Sequence, residues 1–306
     1  SNYIESKGNY RSVSKVKTSL QKQEIKNPGL RCLVTAVAHA VALMQIIPLV
    51  FILIFSFMPV TDLYKGIIRF DNMSLKNYIS VFSSTTGIKP VFNSIFYSAA
   101  AAVVVVAIML FLARLITKSR SKLTGILELF LQIPWFLPGT LIALGMVMAF
   151  ANPTGLLFGK TLTGTTMLIL VGYIILKIPY TLRMIKAAYS SLDEALEEAA
   201  KNLGASSVKT YFKVLLPILL PVILSVFLLN FIGLLAEYNV SVFLFHPMYQ
   251  PLGVVLNAST RADAAPDAQM LSFVYSVLIM IVSTVTIVFV YGGKNRISKK
   301  DKRGQT

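Results

Sequence analysis

Long apolar runs alternate with short polar segments along this chain of 306 residues. A helix needs roughly 20 residues to cross the hydrocarbon of a bilayer, and several runs reach that length. Lipid offers backbone groups no hydrogen-bond partner, so each run is expected to be a helix. The pattern predicts an all-α membrane protein with six transmembrane helices, at Val34–Pro59, Phe92–Ile116, Leu123–Phe150, Thr165–Ala187, Val214–Leu235 and Met270–Tyr291.

Composition supports a polytopic membrane protein. Hydrophobic residues make up 55% of the chain, charged residues only 14%, and the mean hydropathy is +0.70. A soluble domain of this length does not need so much apolar surface. The net charge of +16 could indicate a nucleic-acid partner, but the positions of the basic residues indicate a membrane topology instead.

Most of the basic residues fall on one predicted side of the membrane. That side holds the N-terminal arm, the Arg114–Lys122 segment, the polar insert after the fourth span with Lys177, Arg183 and Lys186 before it, and the C-terminal tail. The other side holds only Lys65, Arg69, Lys76, Lys89, Lys160 and Arg261. By the positive-inside rule, both termini and the insert are expected to be cytoplasmic.

This topology predicts three regions. A basic cytoplasmic arm covers residues 1–31 and would be attracted to anionic membrane lipid. The six-helix domain covers residues 32–293, and a basic cytoplasmic tail covers residues 294–306. No nucleic-acid partner is expected.

The polar insert between the fourth and fifth spans has the signals of a short helix. Ser191 and Glu194 have the spacing of a capping box, and apolar residues then follow at helical intervals. Gly204 is the expected stop, since glycine enters the left-handed conformation at low cost. Ser206 can cap a second short helix that runs towards Phe212.

The spacing of this insert resembles the EAA loop of ABC-importer permeases. Its elements are Glu198, Ala199, Ala200, Gly204, Val214, Leu216 and Pro217. Val214 stands where the family has Ile, and the alternative is an ordinary amphipathic connector. The resemblance implies a bacterial plasma-membrane permease without a cofactor or enzymatic activity of its own, whose cytoplasmic coupling helix docks on a dimer of ATPase subunits. It also implies a second permease half and an extracytoplasmic solute-binding protein.

Two regions are candidates for the translocation path. The segment Ile133–Gly139 places Pro134 and Pro138 inside the third span, and the resulting bend either serves packing or lines the path. Asn230 and Glu237 are polar positions at the fifth span, although Glu237 can also lie at the outer interface. The path residues are therefore predicted to be Trp135, Phe136, Pro138, Asn230 and Glu237.

Other chemistries have little support in the sequence. Cys32 is the single cysteine, and His39 and His246 are too far apart to suggest a metal site. Gly155–Thr161 has one residue too few between its glycines for a phosphate-binding loop. An ion-coupled secondary transporter remains the alternative, with few intramembrane carboxylates to support it. A membrane enzyme would need a catalytic motif that the spans lack.

Further stretches resemble the ferric-iron branch of these permeases. They are Pro138–Thr140 with Leu144–Gly145, Leu192–Gly204, Glu237–Leu244, and Pro251–Gly253. Iron(III) is therefore the predicted cargo, with polyamine, thiamine, phosphonate and sulfate as alternatives and sugars less favoured. Two permease halves are often fused in that branch, and the absence of an initiating Met with the long basic arm would suit a C-terminal half.

Overall fold

The structure is a computed structural model that describes residue 25 and residues 27–119, 121–153, 161–261 and 263–303, with side chains as far as Val290. Most of the predicted basic arm lies outside the described residues. So do residues 154–160, which hold most of the glycine-containing segment before Thr161, and residues 304–306 of the predicted tail.

The described chain is built from helices, in agreement with the predicted all-α fold. We number them in chain order. They are α1 (Pro28–Ser56), α2 (Val60–Tyr64), α3 (Lys76–Ser83), α4 (Thr85–Lys118), α5 (Lys122–Gln132), α6 (Gly139–Phe150), α7 (Thr166–Ser190), α8 (Ala195–Asn202), α9 (Ser207–Thr210), α10 (Leu216–Leu235), α11 (Ser241–Leu244), α12 (Leu252–Ser259) and α13 (Pro266–Arg303).

Five helices are long and apolar enough to cross a membrane, and a bent pair supplies a sixth crossing if it counts as one span. The five are α1, α4, α7, the continuous stretch Ser207–Leu235 and the Pro266–Val290 part of α13. These match the predicted spans, although several extend further than the apolar runs alone indicated.

The third predicted span, Leu123–Phe150, is broken at the bend that its two prolines predicted. It consists of α5, a 3₁₀ turn at Ile133–Trp135, and α6, and the two arms are bent by 107°. Pro134 and Pro138 explain the break, because neither can donate a backbone hydrogen bond to the preceding turn. The apolar run that continues from the fifth span towards Phe245 also breaks, since α10 ends at Leu235 and α11 is a separate short helix.

The chain divides into two compact units, the first ending at Phe51 and the second beginning at Ile52. In the second unit, α4, α7 and α10 pack around a shared apolar core. The buried face of α4 carries small residues at Ser98, Ala101 and Ala102. Small side chains let helix backbones approach closely within a membrane, where apolar surface alone gives little drive to associate.

A second apolar cluster closes the end of this bundle opposite the α8 insert. Val81 on α3 packs with Leu252 on α12 and with Val274 and Tyr275 on α13. The Tyr275 hydroxyl donates to the backbone carbonyl of Gly87, at 2.8 Å, and fastens α13 to the start of α4. The bundle is therefore fixed at this end, and the α8 insert projects from the other.

Candidate functional site

The insert between α7 and α10 is a compact helical loop that ends where the glycine rule predicts. Gly204 has a φ of 75°, in the left-handed region. The N–H of Ala205 donates to the carbonyl of Ala200 (3.0 Å), and the N–H of Gly204 donates to that of Lys201 (2.9 Å). This is the Schellman arrangement, which satisfies the last carbonyls of α8.

The start of α8 lies later than the sequence predicted. The helix begins at Ala195, whose N–H donates to a carboxylate oxygen of Asp193 at 3.0 Å. The hydroxyl of Ser191 donates to the carbonyl of Ala188 and helps to close α7. Asp193 therefore starts the helix, because its short carboxylate reaches an N–H that has no partner within the first turn.

One face of the loop is apolar and open. Leu203 is 87% exposed, Val208 is 66% exposed and Phe212 is 60% exposed. Glu198 and Ala199 also lie on the exposed side, whereas Ala200 is buried against the rest of the loop. Exposed apolar side chains grouped on one compact element are typical of a surface that another protein covers.

The other face of the loop is held to α4 by a carboxylate that the sequence analysis missed. Glu197 forms an ion pair with Arg114, at 3.5 Å, and another with Lys118. Arg114 and Glu197 are partly buried, and Lys118 is about half exposed. The loop is therefore held to α4 by ion pairs as well as by the chain on either side of it. The neighbouring Glu198, predicted from the EAA pattern, faces outward instead.

The same arginine connects the loop to the beginning of α10. The guanidinium of Arg114 lies 4.9 Å from the centre of the Tyr211 ring, a cation–π geometry. The hydroxyl of Tyr189 donates to the carbonyl of Leu110, at 3.3 Å, and lies 3.4 Å from the hydroxyl of Tyr211. Helices α4, α7 and α10 thus meet at one polar cluster beneath the loop.

A π turn at Tyr211–Leu215 joins this cluster to α10, and Leu216 and Pro217 follow it. The N–H of Leu216 donates to the carbonyl of Tyr211, five residues earlier. A widened turn fits the position of Pro217, because its ring crowds the preceding turn and it cannot donate to the carbonyl of Lys213. The Leu-Pro pair of the family pattern therefore marks the start of α10.

The bend between α5 and α6 lies against α7. The guanidinium of Arg183 lies 4.7 Å from the centre of the Trp135 ring and donates to the side-chain carbonyl of Gln132 at 3.3 Å. Trp135 is 51% exposed and Phe136 is 76% exposed. A Cβ atom on Gly139 would lie 3.4 Å from Asn239, so the bend also reaches the segment that follows Glu237.

Glu237 lies just beyond the end of α10, which favours the end-of-span interpretation over the middle of the membrane. Its carboxylate accepts hydrogen bonds from the N–H groups of Val240 and Ser241 and from the Ser241 hydroxyl, at 3.0–3.1 Å. The Tyr173 hydroxyl lies 2.7 Å from that of Ser241. Glu237 therefore holds α11 against α7.

Asn230 is fully buried between α10 and α7 rather than open at the surface of this chain. Its amide donates to the hydroxyl of Thr181 at 2.8 Å, and that hydroxyl donates to the carbonyl of Lys177 at 2.7 Å. The amide oxygen of Asn230 has no hydrogen-bond partner among the described residues. A polar contact between two spanning helices thus lies one helical turn from a lysine.

That lysine corrects one part of the charge analysis. Lys177 was grouped with the cytoplasmic basic residues around the insert, but it lies near the midpoint of α7. Its ammonium group lies 2.9 Å from the position that a Cβ atom on Gly233 would take. The sequence did contain a signal, because Lys177 falls well inside the predicted span Thr165–Ala187.

The site is thus a helical insert with an apolar outer face, anchored to a bundle of helices long enough to span a membrane. The chain belongs to the family described as "Binding-protein-dependent transport system inner membrane component", whose model matches residues 109–299. The matched region contains α5 to α12, with the whole insert around α8, the end of α4 that contacts this insert, and most of α13. The family thus places this chain in the inner membrane as a multi-pass transport component.

Two curated relatives show how far this likeness extends. The chain is 34% identical over 94% of its length to the "Probable ABC transporter permease protein y4fN" of Sinorhizobium fredii, and covers 50% of that protein. It is 25% identical over 56% of its length to the "Ferric transport system permease protein FbpB" of Actinobacillus pleuropneumoniae, and covers 25% of it. The chain therefore spans about half the length of the first relative and less of the second.

The fold is shared with a solved transporter. A bacterial alginate ABC transporter, determined in complex with an alginate pentasaccharide-bound periplasmic protein, aligns with a TM-score of 0.68 and 18% identity. The alignment covers 88% of this chain and 95% of that one. At this identity the likeness concerns the fold alone, which is that of an ABC-importer permease.

We predict that Glu197→Gln loosens the insert while Glu198→Gln does not. A neutral amide loses the ion pairs with Arg114 and Lys118, worth about 1 kcal/mol for partly exposed groups. Amide hydrogens in residues 195–205 should then exchange roughly fivefold faster, since RT is about 0.6 kcal/mol. Hydrogen exchange read by mass spectrometry gives the comparison, and equal exchange in the two variants would remove the anchoring role from Glu197.

Proposed function

We propose that this chain is the permease component of an ABC importer that moves iron(III) from an extracytoplasmic binding protein into the cytoplasm. In this proposal a dimer of ATPase subunits supplies the energy, and a second permease half, in the same chain or another, completes the path. Both termini of the chain are cytoplasmic. The observation that carries the proposal is the insert around α8, with an apolar outer face and a charged inner anchor.

The geometry of the insert suits a coupling role. Leu203, Val208 and Phe212 present apolar surface that a groove on an ATPase subunit can bury. Glu197 and Arg114 join the opposite face to α4, and Tyr211 joins it to α10. A displacement of the loop would therefore act on two spanning helices at once. We assign the docking contact to Glu198, Ala199 and the residues around Gly204, with Ala200, Leu216 and Pro217 shaping the loop's base.

The path is proposed to run along the bend and the polar face of α7 and α10. Trp135, Phe136 and Pro138 lie on the exposed bend, and Gly139 brings it against the segment held by Glu237. An open backbone break and an exposed indole are unfavourable against lipid and are tolerated where protein or water meets them. The second permease half would supply that neighbour, with Asn230 supporting the path from behind.

Iron(III) is supported by the resemblance of Glu237–Leu244 and Pro251–Gly253 to ferric permeases, and by the ferric relative named above. The alternatives are the other cargoes of similar permeases, namely polyamine, thiamine, phosphonate and sulfate. An ion-coupled secondary transporter is the more distant alternative, and the anchored insert argues against it because an ion-driven carrier needs no ATPase-docking element.

Gly204 tests the coupling assignment. We expect Gly204→Val to reduce ATP-dependent uptake and copurification of the ATPase about tenfold, because a β-branched residue is strained at a φ of 75°. Gly204→Asn is the matched control and should retain most activity, since asparagine tolerates this conformation. No atom lies within 4 Å of the added Cβ, so the effect is conformational rather than steric. Normal uptake by well-expressed Gly204→Val protein would refute the coupling role.

The topology can be tested in right-side-out vesicles after Cys32→Ser removes the native thiol. We expect Asp263→Cys to react with a membrane-impermeant thiol reagent in intact vesicles, because it follows α12 on the predicted outer side. Ser206→Cys on the insert should react only after the membrane is permeabilised. Labelling of Ser206→Cys in intact vesicles would place the insert outside and contradict contact with a cytoplasmic ATPase.

The cargo is tested with the complete complex of permease, ATPase and binding protein in liposomes. We expect ATP-dependent accumulation of radioactive iron supplied as iron(III) citrate, and little competition from spermidine, thiamine, methylphosphonate or sulfate. Omission of ATP controls for adsorption of iron to the vesicles. Uptake of one competitor in place of iron would retain the permease assignment and replace the cargo.

A further inference from the structure

Lys177 is an ionisable group in the middle of a membrane-spanning helix. It lies roughly 17–20 Å along the axis from either end of α7, at 1.5 Å per residue. A lysine at the centre of a spanning helix is costly against lipid, and such residues mark substrate or ion pathways by default.

The structure gives this ammonium no protein anion as a partner. Among the described residues, no carboxylate oxygen lies within 4.0 Å of its Nζ atom. The other two cations of α7 do have partners. Arg183 contacts Trp135 and Gln132, and Lys186 forms an ion pair with Glu128 at 2.6 Å. Among the described residues, Lys177 is thus the cation of α7 whose charged group makes no hydrogen bond, ion pair or ring contact.

Glu237 is the charged group closest in effect to Lys177, but its carboxylate is already occupied. Its oxygens accept from the N–H groups of Val240 and Ser241 and from the Ser241 hydroxyl. Glu237 acts on Lys177 through space, without direct contact. It therefore offsets part of the positive charge and leaves the donor capacity of the ammonium unused.

Lys177 lies against a glycine of the neighbouring helix. Gly233 on α10 faces the ammonium and lies on the exposed surface of the chain, so no side chain of α10 covers Lys177 there. One turn away, the buried amide oxygen of Asn230 lacks a hydrogen-bond partner. The unused donor and the unused acceptor thus lie about one helical turn apart along α10, where α7 and α10 meet.

We infer that Lys177 is a recognition residue for an anionic cargo, either a free oxyanion or an iron(III) complex that carries net negative charge. An unpaired ammonium attracts anionic oxygen and repels a cation. The inference rests on the proposed importer function and refines its cargo. It favours phosphonate, sulfate or an anionic iron(III) chelate over polyamine and thiamine, which are cations at neutral pH.

Uptake by the complete complex in liposomes tests this inference. The probes are iron(III) citrate, sulfate, methylphosphonate and spermidine, each with and without ATP. We expect Lys177→Gln to lower uptake of the transported anionic probe about tenfold or more, as for loss of a charged hydrogen bond in a water-poor site. Lys177→Arg should retain most of that uptake. Lys89→Gln, the same change at an exposed lysine on α4, is the matched control and should match the wild type.

A labelling experiment gives a second measurement that does not depend on transport. Lys177 in the purified complex should react with a small water-soluble amine reagent, as read by mass spectrometry, and an anionic probe should protect it. Spermidine should not protect it, and Lys89 should react equally with every probe. Protection by sulfate or methylphosphonate indicates a free oxyanion, whereas protection by iron(III) citrate but not by citrate alone indicates the iron complex.

The outcomes separate this inference from the function on which it rests. Wild-type uptake by Lys177→Gln, uptake of spermidine by the wild-type complex, or failure of every anion to protect Lys177 would overturn the inference. Restoration of activity in Lys177→Gln by a second change, Glu237→Gln, would make the two residues a structural pair and would also overturn it. Anion protection in a complex that shows no ATP-dependent uptake would support the anion site while refuting the importer function.

Discussion

The fold depends on one constraint, that backbone breaks and charges inside a membrane need partners that lipid cannot provide. Most of the spanning sequence meets it with unbroken apolar helices, packed closely through small residues such as Ala101 on α4. The exceptions are concentrated. The bend at Pro134 and Pro138, the Asn230–Thr181 contact and Lys177 all involve α7 or the elements packed on it. These features thus involve more than one side of α7, with Arg183 on one side and Lys177 and Thr181 on another.

The insert around α8 is connected to α4 and α10 through its base. Glu197 binds Arg114 of α4, Arg114 lies over Tyr211, and Tyr211 begins the π turn that leads into α10. A π turn is wider than an α-helical turn and is a common place for a helix to adjust. If the insert carries the coupling role proposed for it, a displacement of α8 reaches α10 through the π turn. Asn230 and Gly233 lie in the half of α10 that is farther from this turn.

Local features were predicted from sequence, and features that depend on neighbouring helices were not. The spans follow from runs of apolar residues, and the end of α8 follows from Gly204, because only a residue's own conformational preference is needed. The role of Glu197 was not predicted, because it depends on the packing of α4 beside α8, which places Arg114 next to Glu197. The angle at Pro134 was missed because proline specifies a break but not its size. Lys177 was grouped with the cytoplasmic basic residues because the count of charges on each side did not consider position within a span. Its place inside the predicted span Thr165–Ala187 was visible in the sequence.

Glu237 and Lys177 differ in the partners that the chain gives them, and that difference bears on the cargo. The carboxylate of Glu237 is already hydrogen-bonded within the chain, by three donors from Val240 and Ser241. Lys177 has no such set of acceptors among the described residues and faces a glycine. Glu237 keeps its charge but has its acceptor atoms occupied, whereas Lys177 keeps its N–H donors for an anion that passes. The resemblance to ferric permeases concerns the residues around Glu237 and does not indicate the net charge of the cargo. The free ammonium adds the condition that iron, if it is the cargo, passes this point within an anionic complex.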